Sequence, residues 1–297
     1  MHRRDLLISG LAASTAAAMV RPAAAQPRGR PTIRARDGVQ LFHRDWGDGR
    51  TVVFAASWAL SSEMWAYQVA HLADAGFRCV AYDRRGHGRS DVPAGGYDMD
   101  TLADDLASVI DATGARRVDL VGHSAGGAEV IHYLARHGAA RVDRVALLAP
   151  AAPYLVKTAD NPYGAPMAAF DARIAEWRRD FPKWVYDNQD PFFTPQTSEA
   201  MKAWATQLLL ATPAPVAIAT FRGLLAKDLR PDLAKIDRPV LILHGDKDAS
   251  AYLEITGRRV AAGIRGAELK VYPGAPHGLF VTHAEQVNRD LESFLKA

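Results

Sequence analysis

A serine between two glycines, Gly122-His123-Ser124-Ala125-Gly126, lies between an apolar run, Val118–Val121, and a helix-like stretch, Ala125–Arg136. It is a Gly-x-Ser-x-Gly sequence with a strand leading in and a helix leading out. A nucleophile on so tight a turn adopts strained backbone angles. The two glycines remove Cβ atoms that would strike neighbouring backbone. The turn lifts the Ser124 hydroxyl above the sheet. The helix that starts there aims free N–H groups and its positive dipole end at the same point, which favours a developing oxyanion. The chemistry this suits is acyl transfer by an activated alcohol.

Such a hydroxyl is a weak nucleophile without a base and a group that orients the base. In serine enzymes built on this strand–turn–helix unit, the acid and the histidine follow the serine along the chain. Val240–Leu243 leads into His244-Gly245-Asp246-Lys247-Asp248, which offers two acids, Asp246 and Asp248. Leu269–Tyr272 leads into Pro273-Gly274-Ala275-Pro276-His277-Gly278, which puts His277 in the loop after the last strand. No other histidine has that placement. His132, His137 and His283 fall in helices, His123 is inside the turn, and His87 lies in Gly86-His87-Gly88. An oxyanion hole needs two N–H donors. One is expected at Ala125, directly after the nucleophile. The other is expected from Ser57-Trp58-Ala59-Leu60, after the strand Thr51–Ala56.

The elements that must position these residues alternate. Short strands are expected at Thr32–Ala35 and Leu41–Trp46, with Asp37-Gly38 as the turn. Apolar runs follow at Thr51–Ala56, Arg78–Tyr82, Val118–Val121, Val142–Leu148, Val240–Leu243 and Leu269–Tyr272. Helical periodicity lies between them at Ser62–Ala75, Met99–Thr113, Ala125–Arg136, Tyr252–Ala262 and His283–Leu295. Continuous apolar strands alternating with amphipathic helices mean an α/β fold with a mostly parallel sheet covered on both faces. Residues 151–233 break the alternation and read as aromatic-rich helix. Inserted before the penultimate strand, they are expected to form a helical lid above the strands' C-terminal ends, where open α/β sheets bind ligands. Most of its aromatics are expected to form the lid's own core, with a few facing the cleft. The core is then 26–150 and 234–297.

Composition narrows the function. The chain has 297 residues, 48% hydrophobic and 23% charged, as in ordinary globular proteins. Its single cysteine excludes a disulfide framework and a Cys-based metal cluster. The formal charge is +3. Arg3, Arg4 and Arg21 against Asp5 give the first 25 residues a surplus of +2, so the remainder carries +1. That is no nucleic-acid footprint. The same 25 residues read as an export signal. Arg3-Arg4 precedes an apolar stretch, Leu6–Val20, too short to span a bilayer, and Ala23-Ala24-Ala25 suits a signal peptidase. The paired arginines resemble a twin-arginine signal, which carries folded proteins out of the cytoplasm. A periplasmic or secreted location is expected, with no membrane partner.

The segments Tyr82-Asp83-Arg84-Arg85-Gly86-His87-Gly88-Arg89-Ser90, Gly122-His123-Ser124-Ala125-Gly126-Gly127, His244-Gly245-Asp246-Lys247-Asp248 and Val271-Tyr272-Pro273-Gly274-Ala275-Pro276-His277-Gly278-Leu279 resemble the α/β-hydrolase fold. Within it, the chain is similar to the arylesterase and cofactor-free haloperoxidase (perhydrolase) group. The likeness covers nearly all of residues 32–296 and is weakest in the lid. It implies that Asp248, the second acid of Gly-Asp-x-Asp, is catalytic, with Asp246 a turn residue. It also implies that Trp58 supplies the second oxyanion N–H. The chain departs from the group's pattern in three places. His-Gly-Trp-Pro is replaced by Ala56-Ser57-Trp58-Ala59, the Met common after the nucleophile by Ala125, and Gln-Ile-Val-Pro after the acid by Ala249-Ser250-Ala251-Tyr252. In this group the residue after the tryptophan places a carbonyl for peroxide, so Ala59 argues against efficient perhydrolysis. The expected enzyme is a serine hydrolase of carboxylic esters, with lactones a second substrate form. The expected triad is Ser124, His277 and Asp248, with no metal and no organic cofactor. The alternatives are a perhydrolase using the same triad with hydrogen peroxide, and a slow-turnover small-molecule binder. A homo-oligomer is left open.

Overall fold

Eight strands form one sheet. They are β1 (Thr32–Arg34), β2 (Gln40–Trp46), β3 (Arg50–Ala55), β4 (Phe77–Tyr82), β5 (Val118–His123), β6 (Val142–Leu148), β7 (Val240–Gly245) and β8 (Glu268–Tyr272). The computed structural model describes residues 31–297, so the export signal read over residues 1–25 lies outside the described residues. The strand order is β1-β2-β4-β3-β5-β6-β7-β8. β2 runs antiparallel to β1 and β4, and the pairings from β4 through β8 are parallel.

The helices are α1 (Ala66–Asp74), α2 (Met99–Ala112), α3 (Ala125–His137), α4 (Met167–Asp187), α5 (Glu199–Leu210), α6 (Ala214–Ala226), α7 (Arg230–Leu233), α8 (Gly257–Gly263), α9 (Leu279–Thr282) and α10 (Ala284–Lys296). They cover both faces of the sheet, which is why the central strands read as largely apolar runs. Side chains alternate along β3. Val53 and Ala55 join a core with Leu106 of α2, Ile131 of α3 and Val260 of α8. Val52 and Phe54 join the opposite core with Leu72 of α1 and Leu291 of α10. Local signals fix the helix ends. Asp98 caps α2 by accepting the Thr101 N–H at 2.9 Å, and Gly114, at φ +67°, follows its end.

Between β6 and β7 the chain runs through α4 to α7, and these residues build a third core around Phe170, Trp177, Phe181 and Phe221. Helix α4 is broken at Asp180, whose φ of −161° and ψ of 84° are not helical. Pro182 cannot donate to the preceding turn, and Asp180 restarts the helix by accepting the Lys183 N–H at 2.9 Å. No single helix among the described residues is long and apolar enough to cross a membrane.

Two helices are shorter than the sequence suggests. Ser62–Trp65 is a 3-10 turn, and α1 starts only at Ala66. The Ser61 hydroxyl and the buried Asp83 carboxylate take the first N–H groups there. The stretch expected to be helical from Tyr252 is helical only from Gly257. The preceding residues are committed elsewhere: the N–H groups of Ser250 and Ala251 hold the Asp248 carboxylate, and the Thr256 hydroxyl donates to the Ala251 and Tyr252 carbonyls.

Candidate active site

The order of the strands locates the site. From β3 the chain passes to β4 on one side and then returns to β5 on the other. That reversal opens a crevice at the C-terminal ends of β3 and β5. Trp58 follows β3, and Ser124 follows β5. Ser124 has φ +54° and ψ −117°, a conformation L residues rarely adopt. Its backbone is held from both sides. The Ser124 N–H donates to Leu148 at 2.9 Å, and its carbonyl accepts from Ala151 at 3.0 Å. Such strain persists only where the surroundings over-determine it. The glycines behave as the spacing requires. A Cβ on Gly126 would lie 2.3 Å from the Ala55 carbonyl oxygen, and one on Gly122 would lie 2.6 Å from that of Gly126.

His277 and Asp248 meet, with His277 Nδ1 2.7 Å from Asp248 Oδ2. Asp248 also accepts the N–H groups of Ser250 at 2.8 Å and Ala251 at 2.7 Å. His244 Nε2 lies 3.3 Å from the same carboxylate and 2.7 Å from the Ala251 carbonyl. Burial alone would push the Asp248 carboxyl up. The facing His277 and hydrogen bonds from His244 and His277 outweigh that and hold it well below the usual carboxylate range. The Nδ1–H of His277 is therefore fixed on a carboxylate, which leaves Nε2 to act as the base. The loop carrying His277 is pinned from several sides. His123 Nε2–H donates to the His277 carbonyl at 2.9 Å. Gly274 N–H donates to Asp246 at 2.7 Å, which gives Asp246 its structural part. Gly278 N–H donates to the Phe192 carbonyl at 3.1 Å. Ser124 and His277 line one cavity, and no hydrogen bond between their side chains is formed among the described residues. Such bonds are commonly loose in an unliganded site.

The N–H groups of Trp58 and Ala125 donate to no acceptor among the described residues, as donors reserved for an oxyanion would. Trp58 lines the cavity with Ser57 and Ser124, and Ala125 lies behind them, 2% exposed. Trp58 Nε1–H donates to the Ala217 carbonyl of α6 at 2.8 Å, and its ring stacks on Trp177 at 4.6 Å. Ala59 has φ +55°.

The cavity has a volume of about 260 Å3. Its wall is largely apolar, with Trp177, Trp184, Phe192, Phe221 and Leu209 from the β6–β7 segment facing Ser124 and His277. Trp177 and Phe221 therefore serve both as core and as cavity wall. Among the described residues no group of His, Cys, Asp and Glu is arranged to hold a metal ion.

A family described as alpha/beta hydrolase fold matches residues 50–284. The chain belongs to this family. It is 37% identical over 285 residues to a non-heme haloperoxidase of Rhodococcus erythropolis, covering 90% of this chain and all of that protein. It is 36% identical over 277 residues to a bifunctional esterase/perhydrolase of Acinetobacter calcoaceticus, covering 89% and 99% of the two chains. An esterase structure from Exiguobacterium antarcticum superposes with a TM-score of 0.86 at 32% identity, over 90% of this chain and 99% of that one.

Within this alpha/beta hydrolase, sequence reasoning missed His244 and Arg84. His244 stands in the same segment as the acid, and it touches Asp248. The signal was its position four residues before Asp248, at the end of β7. Arg84 donates to the Ala56 carbonyl at 2.7 Å and the Ser57 carbonyl at 3.1 Å, beneath the Trp58 loop. Two further histidines among the described residues are held by partners away from the cavity. His132 sits between Asp100 and Asp232, 2.7 Å from each. His87 is fully buried against the Arg85 carbonyl. Cys79 is buried, which pushes its thiol up to about 12.

Proposed function

We propose that this chain is a serine hydrolase of carboxylic esters, and of lactones where the ring fits, acting through an acyl-enzyme. The observation that carries the reading is the 2.7 Å contact of His277 with Asp248 beside a strained Ser124 on the same cavity. In this mechanism His277 takes the Ser124 proton as Oγ attacks the ester carbonyl. Asp248 holds the imidazole tautomer and stabilises its cation. The N–H groups of Trp58 and Ala125 take the oxyanion charge. His277 then returns the proton to the leaving alcohol, and afterwards activates the water that frees the acid. The names of the relatives favour a second reading, peracid formation from hydrogen peroxide on the same triad. Against it stands Ala59. Proline is locked near φ −65°, so the group's Trp-Pro could not adopt Ala59's φ of +55°. The Trp58 carbonyl is therefore oriented differently from one fixed by proline. We place the enzyme outside the cytoplasm, on the strength of Arg3-Arg4 and Ala23-Ala24-Ala25.

Kinetics on 4-nitrophenyl esters and lactones test the reading. Ser124→Ala is expected to lower kcat by about 10⁴-fold, and a serine-trapping phosphonate to label the wild type at Ser124. Full activity in Ser124→Ala ends the proposal. The ratio of peracid to acid formed from acetate in peroxide separates the two chemistries.

A further inference from the structure

Arg173 is the one Lys or Arg among the described residues that line the cavity. It lies on α4 one turn before Trp177, so the two share a helix face. Arg173 is exposed and Trp177 is buried. The cavity wall thus includes an exposed arginine, Trp177 stacked on Trp58, and Ser124. No carboxylate among the described residues pairs with Arg173, although other arginines along the chain, such as Arg230 and Arg136, are held by acids. A second donor shares the cavity. The Gln189 side-chain oxygen accepts the Thr206 hydroxyl at 3.0 Å, which turns its NH₂ group away from that bond. A guanidinium has five donors in a planar fork and no acceptor, a match for a carboxylate. In a largely apolar cavity, a few placed polar groups set the ligand's orientation.

We propose that Arg173 is an anion subsite at the cavity mouth. The preferred substrates are then esters or lactones bearing a carboxylate remote from the reacting carbonyl, joined to it by an apolar linker that lies on the aromatic wall. The proposal rests on the ester-hydrolase reading above, and refines it from esters in general to anionic ones.

Two matched pairs of esters test it: 4-nitrophenyl pentanoate against mono-4-nitrophenyl glutarate, and phenyl acetate against 4-acetoxybenzoate. The first pair carries the charge on the acyl side and the second on the leaving group. Arg173→Gln is expected to raise KM about tenfold for the charged member of at least one pair. Its kcat and both neutral esters should stay within about twofold. Arg173→Lys should keep most of the preference, and high salt should reproduce the loss in the wild type. An equal effect on charged and neutral partners, or none on either pair, overturns the subsite. Binding to Ser124→Ala protein, read by calorimetry, reports on the subsite without turnover. There 4-acetoxybenzoate should bind more tightly than phenyl acetate, or mono-4-nitrophenyl glutarate more tightly than the pentanoate, and Arg173→Gln should erase the difference. Absence of any preference for the charged ligands overturns the proposal. Failure of the hydrolase reading looks different: the wild type turns over none of the four esters faster than Ser124→Ala.

Discussion

Arg84 and Glu129 form an ion pair whose side chains are 2% and 1% exposed. The pair joins two parts of the site that are distant in sequence. Glu129 lies on α3, in the helix that starts at the nucleophile, while the Arg84 Nη groups hold the Ala56 and Ser57 carbonyls under the Trp58 loop. Arg84 thus fixes the spacing between the Ser124 turn and the second oxyanion donor. Removing one partner leaves a buried charge unpaired, a cost of about 3–5 kcal/mol. Arg84→Met alone is therefore expected to unfold at much lower urea. The double variant Arg84→Met/Glu129→Leu should recover most of that stability, since apolar replacement of a buried pair is often neutral. It should not recover kcat, which we expect to stay about tenfold or more below wild type with KM little changed, because the two carbonyls are no longer held. A double variant with wild-type kcat would show that Arg84 serves stability alone.

His244 steadies Asp248 at Oδ2, the same carboxylate oxygen that His277 contacts. Its ring leans on Gly257, where an added Cβ would lie 2.3 Å from His244 Nδ1. Gly257→Ala should therefore push the ring off the carboxylate. We expect kcat to fall about tenfold in both Gly257→Ala and His244→Phe, with KM within about twofold. Because Asp248 is held below the usual carboxylate range, its own protonation should add no inflection to the kcat/KM profile above about pH 4. In His244→Phe one support of the ionised form is lost, and an inflection at low pH should move upward. An unchanged acid limb and unchanged kcat would reduce His244 to packing.

The catalytic candidates were legible because each lies in the loop or turn that follows a strand. Ser124, Asp248 and His277 follow apolar runs that the sequence marks plainly, and the glycines around Ser124 are there for a close approach that the backbone imposes. What stayed hidden depends on contacts made only after folding. Two adjacent arginines carry no mark of burial in the sequence, yet Arg84 is buried, because Glu129 and two carbonyls satisfy its donors. Arg85 is likewise buried on Asp105, at 2.6 and 2.7 Å. The helix expected from Tyr252 failed for a related reason. Periodicity cannot show that two N–H groups are claimed by a carboxylate.

Trp184 is half-buried and lines the cavity, whereas Trp204 packs edge-on against Tyr67 and does not line it. Trp184→Ala should open space for longer acyl chains. We expect the ratio of kcat/KM for the octanoate over the acetate ester of 4-nitrophenol to rise about tenfold, in keeping with the worth of one or two buried methylenes. Trp204→Ala should leave the ratio unchanged. Equal responses in the two variants would mean that the acyl chain does not lie along this wall.

Acid should destabilise the protein through two histidines that fold neutral. Burial, and next the Arg84 charge, hold His87 down to about 3. Burial, and next His277, hold His123 down to about 3. Unfolded, each returns to the ordinary value of 6.5. Below pH 6.5 the unfolded chain therefore takes up protons that the folded one refuses. The stability these groups contribute is complete above pH 6.5 and is lost progressively as the pH falls toward 3. At pH 5 the loss is about 2 kcal/mol for each histidine. Asp119 works in the opposite direction. Burial pushes its carboxyl up to about 6 despite Arg50, so the folded protein holds that proton more tightly and gains stability as the pH drops through 6. Between pH 7 and pH 5 the two histidines together should outweigh Asp119, since each of their shifts is larger than its shift. His87→Gln should lose less over the same interval, by about 2 kcal/mol, and Asp119→Asn should lose more. Urea unfolding midpoints at pH 7, 6 and 5 measure all three. Parallel curves for wild type and His87→Gln would show that His87 is not held neutral in the folded state.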